Sequence, residues 1–421
     1  MNNLPKLRFP EFVDAGEWEE KKLGDVAVFF KGKGLPKSAI TPNAKNPCIH
    51  YGELFTEYPE VIDTIKSHTN LEGDYFLSTA NDVLMPTSDV TPNGLAKSCC
   101  IKLSEVILGG DILVIQTNKL AISGEFLARY IRYLEKKVLQ LVSGSTVFHL
   151  YASSINKLAL SFPSRQEQQE IADCLSSLDD RITLETKKLD TLKAHKKGLM
   201  QQLFPAEGET IPNLRFSEFR NTGEWEIKEF SKYIVLYRGS SPRPIQSYLS
   251  SDKSGVNWIK IGDTKSAKNF VISQVEEKIT PDGAKKSRRV NVGELILANS
   301  MSYGKTYQIA IDGYIYDGWF VLRDYEKYFD KQFLLQLLNS EYMQNQYERF
   351  SAGGIVQNIS SDIVYKTVLP HTSLKEQQKI ADCLSSIDEA IAAQSQAIDL
   401  LKLHKKGLMQ QLFPSVEEVR G

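Results

Sequence analysis

The side chains best suited to chemistry with a partner molecule are basic and polar, and they come in matched sets. Lys31, Lys33 and Lys37 punctuate a glycine-containing loop, Lys-Gly-Lys-Gly-Leu-Pro-Lys. Arg238-Gly-Ser240-Ser-Pro-Arg243 holds the equivalent place in the second half of the chain. Lys285, Lys286, Arg288 and Arg289 form a denser run. Thr87, Ser88 and Lys97 flank one predicted strand end, and Asn299, Ser300, Tyr303 and Lys305 flank its counterpart. Thr146 closes a short Gly/Ser segment, Ser143-Gly-Ser-Thr146, whose counterpart is Ser351-Ala-Gly-Gly354. Ammonium and guanidinium groups meet phosphates, while Arg, Asn, Gln, Ser and Thr can read base edges. Such residues equally serve as solvated loop charges. The paired occurrence of the basic glycine loop favours a contact role.

Groups arranged for catalysis are lacking. Asn46-Pro47-Cys48-Ile49 only half matches the Asn-Pro-Pro-Tyr loop with which amino-methyltransferases hold a base, because the second proline and the aromatic are missing. Gly304-Lys305-Thr306 has the tail of a phosphate loop, but Asn299 stands where the first glycine belongs. Pro281-Asp282 has no acid-x-Lys pair after it on a strand, and neither His-Glu-x-x-His nor Gly-x-Ser-x-Gly occurs. The five cysteines show no metal or disulfide spacing and read as free thiols of a reducing cytosol. His195 and His404 lie beside Lys-Lys near helix C-termini, where positive charge suits the helix dipole. No metal site is expected.

These residues sit in a chain of 421 residues with a formal net charge of −1, so any polyanion-binding surface must be a local patch. No run of about 20 apolar residues occurs, and the N-terminus lacks an apolar signal core. A soluble, cytoplasmic protein is expected.

What positions the contact residues is a duplication. Ser164 to Pro205 returns as Ser373 to Pro414, about half the chain later, with both ends of the segment closely kept. A second echo precedes each globular half: Leu7-Arg8-Phe9 through Trp18-Glu19 returns as Leu214-Arg215-Phe216 through Trp225-Glu226. The chain is two copies of one unit, a globular half followed by a long helix, which suggests two similar tasks on two different targets. Apolar residues in the repeats recur in steps of four and three: Ile171, Leu175, Leu178, Ile182, Leu189, Leu192, Leu199 and Leu203, then the matching set from Ile380 to Leu412. That is a coiled-coil seam. Glu185 and Lys196 interrupt it in the first copy, and Gln394 and Lys405 in the second. Pro205 and Pro414 stop the helices, giving rods of about 37 residues and roughly 55 Å. Two such rods pair best antiparallel, which brings Glu185 and Gln394 together mid-seam to fix helix register. The globular halves read as mixed α/β: apolar runs at 26–30, 83–85, 107–108, 112–115, 234–236 and 295–297 as strands, and 126–134 and 333–338 as helices.

The repeat architecture resembles the specificity subunit of a type I restriction-modification system. The resemblance covers the whole chain and rests on two repeat helices that open with Glu-Gln-Gln-x-Ile (Glu167 to Ile171, Glu376 to Ile380). Both close with Lys-Lys-Gly-Leu-Met-Gln-Gln-Leu-Phe-Pro. It implies an α+β chain with two mixed α/β target recognition domains, at 1–163 and 212–372. The repeat helices, at 164–211 and 373–421, would form an antiparallel coiled coil between them. It implies that each domain reads half of a bipartite double-stranded DNA site. The helices would set the spacing and dock two modification (methyltransferase) subunits. S-adenosylmethionine, ATP and Mg2+ would serve those subunits and the restriction (endonuclease and translocase) subunits. This chain would then be non-catalytic and bind no cofactor, within a complex acting as adenine-N6 methyltransferase and ATP-dependent endonuclease. A self-contained DNA enzyme with duplicated binding domains, and a two-headed adaptor that binds no DNA, remain the alternatives.

Overall fold

The structure is a computed structural model that describes residues 4–300, 304–351 and 358–415. The chain divides into two compact units, 1–184 with 399–421 and 185–398. Each contains a globular part and stretches of both long helices.

In the first unit a five-stranded sheet runs in the order Ala27–Lys31, Ile112–Thr117, Val83–Pro86, Cys99–Ile101, Val61–Ile62. All its ladders are antiparallel except the last. A four-stranded sheet follows the order Ser67–Thr69, Asn46–Ile49, Ile107–Leu108, Phe76–Leu77. The central strands are buried on both faces. Val83, Met85, Leu113 and Ile115 pack on the helix Gly124–Tyr133, while Leu84, Ile112 and Val114 pack with Ile49 and Leu108 of the smaller sheet. Burial on both faces is why these strands read as unbroken apolar runs rather than alternating ones. Val26 is the exception to the strand expected at 26–30: it closes a helical turn, Leu23–Val26, ahead of the strand.

The second unit repeats this topology with a different sequence. Its larger sheet runs Val235–Arg238, Trp319–Arg323, Leu295–Ala298, Thr306–Ile309, Val271–Ile272, again with only the last pair parallel. Its smaller sheet runs Glu277–Ile279, Val256–Ile259, Gly313–Ile315, Arg288–Val290. Ile234 falls just before its expected strand and is buried against Trp225, Phe230 and Phe333. Matching turn carboxylates accept matching backbone amides: Glu53 from His50 and Asp263 from Lys260, both at 2.7 Å.

The long helices span Arg165–Leu203 and Leu374–Leu412. Ser164 and Ser373 cap them by accepting from the amides of Glu167 and Glu376. In the first unit Ile171 and Leu175 of one helix share a core with Leu412 and Phe413 at the far end of the other. In the second unit Leu203 and Phe204 meet Ile380 and Leu384 in the same way. Start meets end in both units, so the helices run antiparallel.

The two sequence echoes touch each other. Arg8 grips Glu167 through two hydrogen bonds, at 2.8 and 2.6 Å, and Arg215 grips Glu376 at 2.7 and 2.8 Å. Gln168 and Gln377 accept from the N-cap amides of Ser123 and Asp330, which open the domain helices Gly124–Tyr133 and Lys331–Leu338. The Glu-Gln-Gln opening therefore anchors each long helix to its globular part. Further along, Lys405 meets Asp179 at 2.6 Å and Asp179 accepts from Arg129 at 2.6 Å. Lys196 meets Asp388 at 2.7 Å, and Asp388 accepts from Gln336 at 2.7 Å. The lysines that interrupt the apolar seam close one triad per unit with an aspartate of the opposite helix.

Candidate functional site

The paired basic loops begin at an edge strand of each larger sheet. Gly32 and Gly239 end those strands, where the backbones come too close for a side chain. A Cβ on Gly32 would overlap the Gly109 carbonyl, and one on Gly239 the Tyr316 carbonyl. Glycine there lets the strand and the neighbouring turn lie side by side, and each turn supplies a carboxylate.

In the first unit that carboxylate is Asp111. Lys31 meets it at 3.0 Å and the Thr87 hydroxyl donates to it at 3.3 Å. The hydrogen-bonded Lys31 ammonium holds the Asp111 carboxyl below its usual range. Ser88 lies opposite His149 in a two-residue ladder. His149 and Ser143 exchange backbone hydrogen bonds and close a hairpin loop whose exposed tip carries Thr146. Lys33 is paired with Asp74, and Lys37 is exposed in the turn Lys37–Ala39. Lys97 stands apart from Asp111. Its ammonium binds the Phe55 carbonyl and lies over the Phe55 ring.

In the second unit the carboxylate is Asp317. The Ser241 hydroxyl donates to it at 2.6 Å and Arg243 at 3.4 Å, while its carbonyl accepts from Asn299 at 2.9 Å and Arg238 at 3.3 Å. The cluster built from residues 285–289 joins the same surface. Ser240 donates to the Lys286 carbonyl at 3.0 Å, and Arg288 to the Arg238 carbonyl at 3.1 Å. Arg288 also covers the Tyr237 ring, Lys286 bonds Tyr248, and Lys285 pairs with Asp282 at 2.8 Å. Arg289 is exposed on the strand Arg288–Val290. Ser300 bridges Asn358, as Ser88 bridges His149. The Ile359 amide donates to the Asn299 carbonyl, as the Leu150 amide does to that of Thr87. Lys305 faces elsewhere, toward Glu341 and Glu348, and burial pushes its ammonium below the usual range. Tyr303, like residues 352–354 of the second Gly/Ser segment, lies outside the described residues.

One arrangement is thus built twice. A strand-end polar residue, a following serine with its cross-strand partner, and a basic loop surround a turn carboxylate. The sequence reading missed Asp111, Asp317, His149 and Asn358. The signal available for the first two was a lone Asp before each buried strand.

Burial pushes the Cys48 thiol up to about 11 and those of Cys99 and Cys100 to about 12, so they stay protonated at neutral pH. Among the described residues no group of three or more His, Cys, Asp or Glu could hold a metal ion, and no helix is long and apolar enough to cross a membrane. His195 and His404 are exposed on the long helices.

The family model for the type I restriction modification DNA specificity domain matches twice, over residues 15–194 and 222–403. The chain belongs to the type I restriction-modification DNA specificity family. Each specificity domain carries one of the two polar clusters. The chain is 25% identical over 438 residues to the type I restriction enzyme MjaVIII specificity subunit of Methanocaldococcus jannaschii, covering 99% of this chain and 95% of that one. It is 24% identical over 318 residues to the putative MjaX specificity subunit of the same organism, covering 72% and 71%. The fold is similar to that of a type I restriction-modification S subunit from M. genitalium, with a TM-score of 0.58, 14% identity and coverage of 98% and 99%. A chain described in a structural study of assembly and conformational transition of the type I system gives a TM-score of 0.60, 16% identity and coverage of 94% and 97%. The two specificity domains of this chain form the non-catalytic, address-giving component of such a system.

Proposed function

We propose that this chain is the DNA address reader and assembly hub of a type I restriction-modification complex in the cytoplasm. Each unit reads one half of a bipartite site in double-stranded DNA. The paired helices set the spacing between half-sites and dock two modification subunits. Those subunits bind S-adenosylmethionine and methylate adenine N6, and restriction subunits use ATP and Mg2+ to translocate and cut. This chain binds none of these cofactors and serves recognition alone.

The observation that carries the reading is the twofold polar cluster on one strand order with different residues. Lys31, Thr87 and Ser88 in one unit become Arg238, Asn299 and Ser300 in the other. The frame and its serine are constant while Lys31 and Thr87 give way to Arg238 and Asn299, which is the chemistry of two readers for two sequences. Phosphate contact falls to Lys31, Lys33, Lys37, Arg238, Arg243 and the run from Lys285 to Arg289. Docking of two like partners is supported by exposed helix residues that pairing does not require to match, yet which do: Asp173 and Asp382, Ser177 and Ser386, His195 and His404.

The test is a domain exchange. Residues 1–163 are replaced by the equivalent part of a foreign member of the family, and methylated sites are mapped by sequencing. One half of the bipartite motif should change and the other should stay. Changes in both halves, or in neither, sink the assignment of one reader per unit. A chain that binds S-adenosylmethionine on its own would instead support a self-contained enzyme.

A further inference from the structure

Four of the cations in the basic loops and cluster are already held by carboxylates. Lys31 is paired with Asp111, Lys33 with Asp74, Arg243 with Asp317 and Lys285 with Asp282. A surface that only gripped the DNA backbone would gain nothing from these carboxylates, since each repels phosphate and occupies a cation. Asp111 and Asp317 differ from the other two in what they hold. Asp111 binds a loop cation and the hydroxyl of Thr87 at the end of a central strand. Asp317 binds Ser241 and Arg243 through its carboxylate, and Arg238 and Asn299 through its carbonyl. Each precedes the strand that pairs with its own basic-loop strand, so the two are structural counterparts despite unlike surroundings.

We infer that Asp111 and Asp317 are positioning residues for sequence discrimination, their carboxylates holding the hydroxyls of Thr87 and Ser241 in line beside the basic loops and restraining indiscriminate phosphate binding. This rests on the reading of each unit as a half-site reader and deepens it. An exposed ion pair is weak and exchanges readily. When the correct bases are present, the cation is released to phosphate and the aligned hydroxyl groups meet the base edges. On other sequences the carboxylate keeps its cation and the contact is not made. Asp74 and Asp282 only restrain charge, because each bonds a single cation.

The test uses the full chain assembled with its modification subunits. The bipartite site is first mapped by methylation sequencing. Binding is then measured on a duplex carrying that site, on duplexes altered in one half, and on random-sequence duplex of equal length. Asp111→Asn and Asp317→Asn keep the shape of the side chain and remove its charge. Asn is well tolerated at the φ of 63° that Asp111 adopts, so the turn survives. Each variant should bind random duplex more tightly, with the slope of log affinity against log salt steeper by about 0.9 for the cation set free. Discrimination at its own half-site should fall about 10- to 100-fold, and discrimination at the other half should hold. Asp282→Asn should steepen the slope without touching discrimination. The inference is overturned if Asp111→Asn and Asp317→Asn leave discrimination intact whatever the salt slope does. It is equally overturned if Asp282→Asn lowers discrimination as much as Asp317→Asn. A wild-type complex with no preference at either half would overturn the reader function itself, a separate result.

Discussion

Gln394 donates from its amide nitrogen to the Glu185 carboxylate at 2.7 Å and to the Glu185 backbone carbonyl at 3.0 Å. The two residues occupy the same place in their repeats, each a polar interruption of a mostly apolar seam. A half-buried polar pair of this kind specifies alignment more than stability. Glu185→Leu alone should cost about 1 kcal/mol, since the amide keeps only the backbone acceptor. Replacing both by Leu should restore or raise the melting temperature. Spin labels at Lys188 and Ala392 should then report a broader distance distribution than in wild type. A distribution as narrow as wild type would remove the pair as a register device.

The Arg215–Glu376 pair is nearly sealed from water, with side chains 7% and 1% exposed. Breaking a buried pair strands a charge. Glu376→Ala should destabilise the second unit by about 3–5 kcal/mol, while Arg215→Met with Glu376→Leu should recover most of the loss. Denaturant unfolding of the full chain measures both. Equal losses in the single and double variants would show that packing, not charge, dominates.

The Lys–Asp triads predict a charge exchange. Lys196→Met should cost about 3 kcal/mol, and Lys196→Asp combined with Asp388→Lys should regain at least half of what either change alone loses. In the first unit, Glu60 adds a pH dependence. Burial would push its carboxyl up, but Lys405 at 3.6 Å, with Arg129 and Arg132, holds it below its usual value of 4.5. A carboxyl depressed in the folded state stabilises above its unfolded pKa, and that contribution is lost as pH falls through the folded value. Glu60→Gln should therefore flatten the loss of stability below pH 4.5. An unchanged acid limb of the stability curve would exclude Glu60 from it.

Replacing Lys285, Lys286, Arg288 and Arg289 by Ala should weaken binding of the assembled complex to all sequences alike. The salt slope should flatten by about 0.9 for each phosphate contact removed. An unaltered slope would take this cluster off the interface.

The long helices were legible because their pattern is local: the seam and the stopping proline lie within one segment. The central strands were legible because burial on both faces makes them uniformly apolar. The reason for the seam lysines was not, since Lys196 and Lys405 find their aspartates on the other helix, far away in sequence. The roles of Asp111 and Asp317 were hidden for the same cause. Each becomes meaningful only when a turn before one strand lies beside the end of another, an approach that Gly32 and Gly239 permit. The Arg8 and Arg215 echoes were seen as repeats but not as the partners of Glu167 and Glu376. A period shows that a segment recurs, not what it touches.

The first unit is discontinuous in the chain, whereas the second is one unbroken stretch. Phe413 stacks on Tyr130 at 4.7 Å and closes a core whose other members are almost all found before residue 184. During vectorial synthesis the second unit can therefore finish folding while the first, though made earlier, still shows Phe126 and Tyr130 to solvent. The half that leaves the ribosome first is completed last. A chain that stopped before Phe413 would leave Tyr130 without its stacking partner and the core of the first unit incomplete.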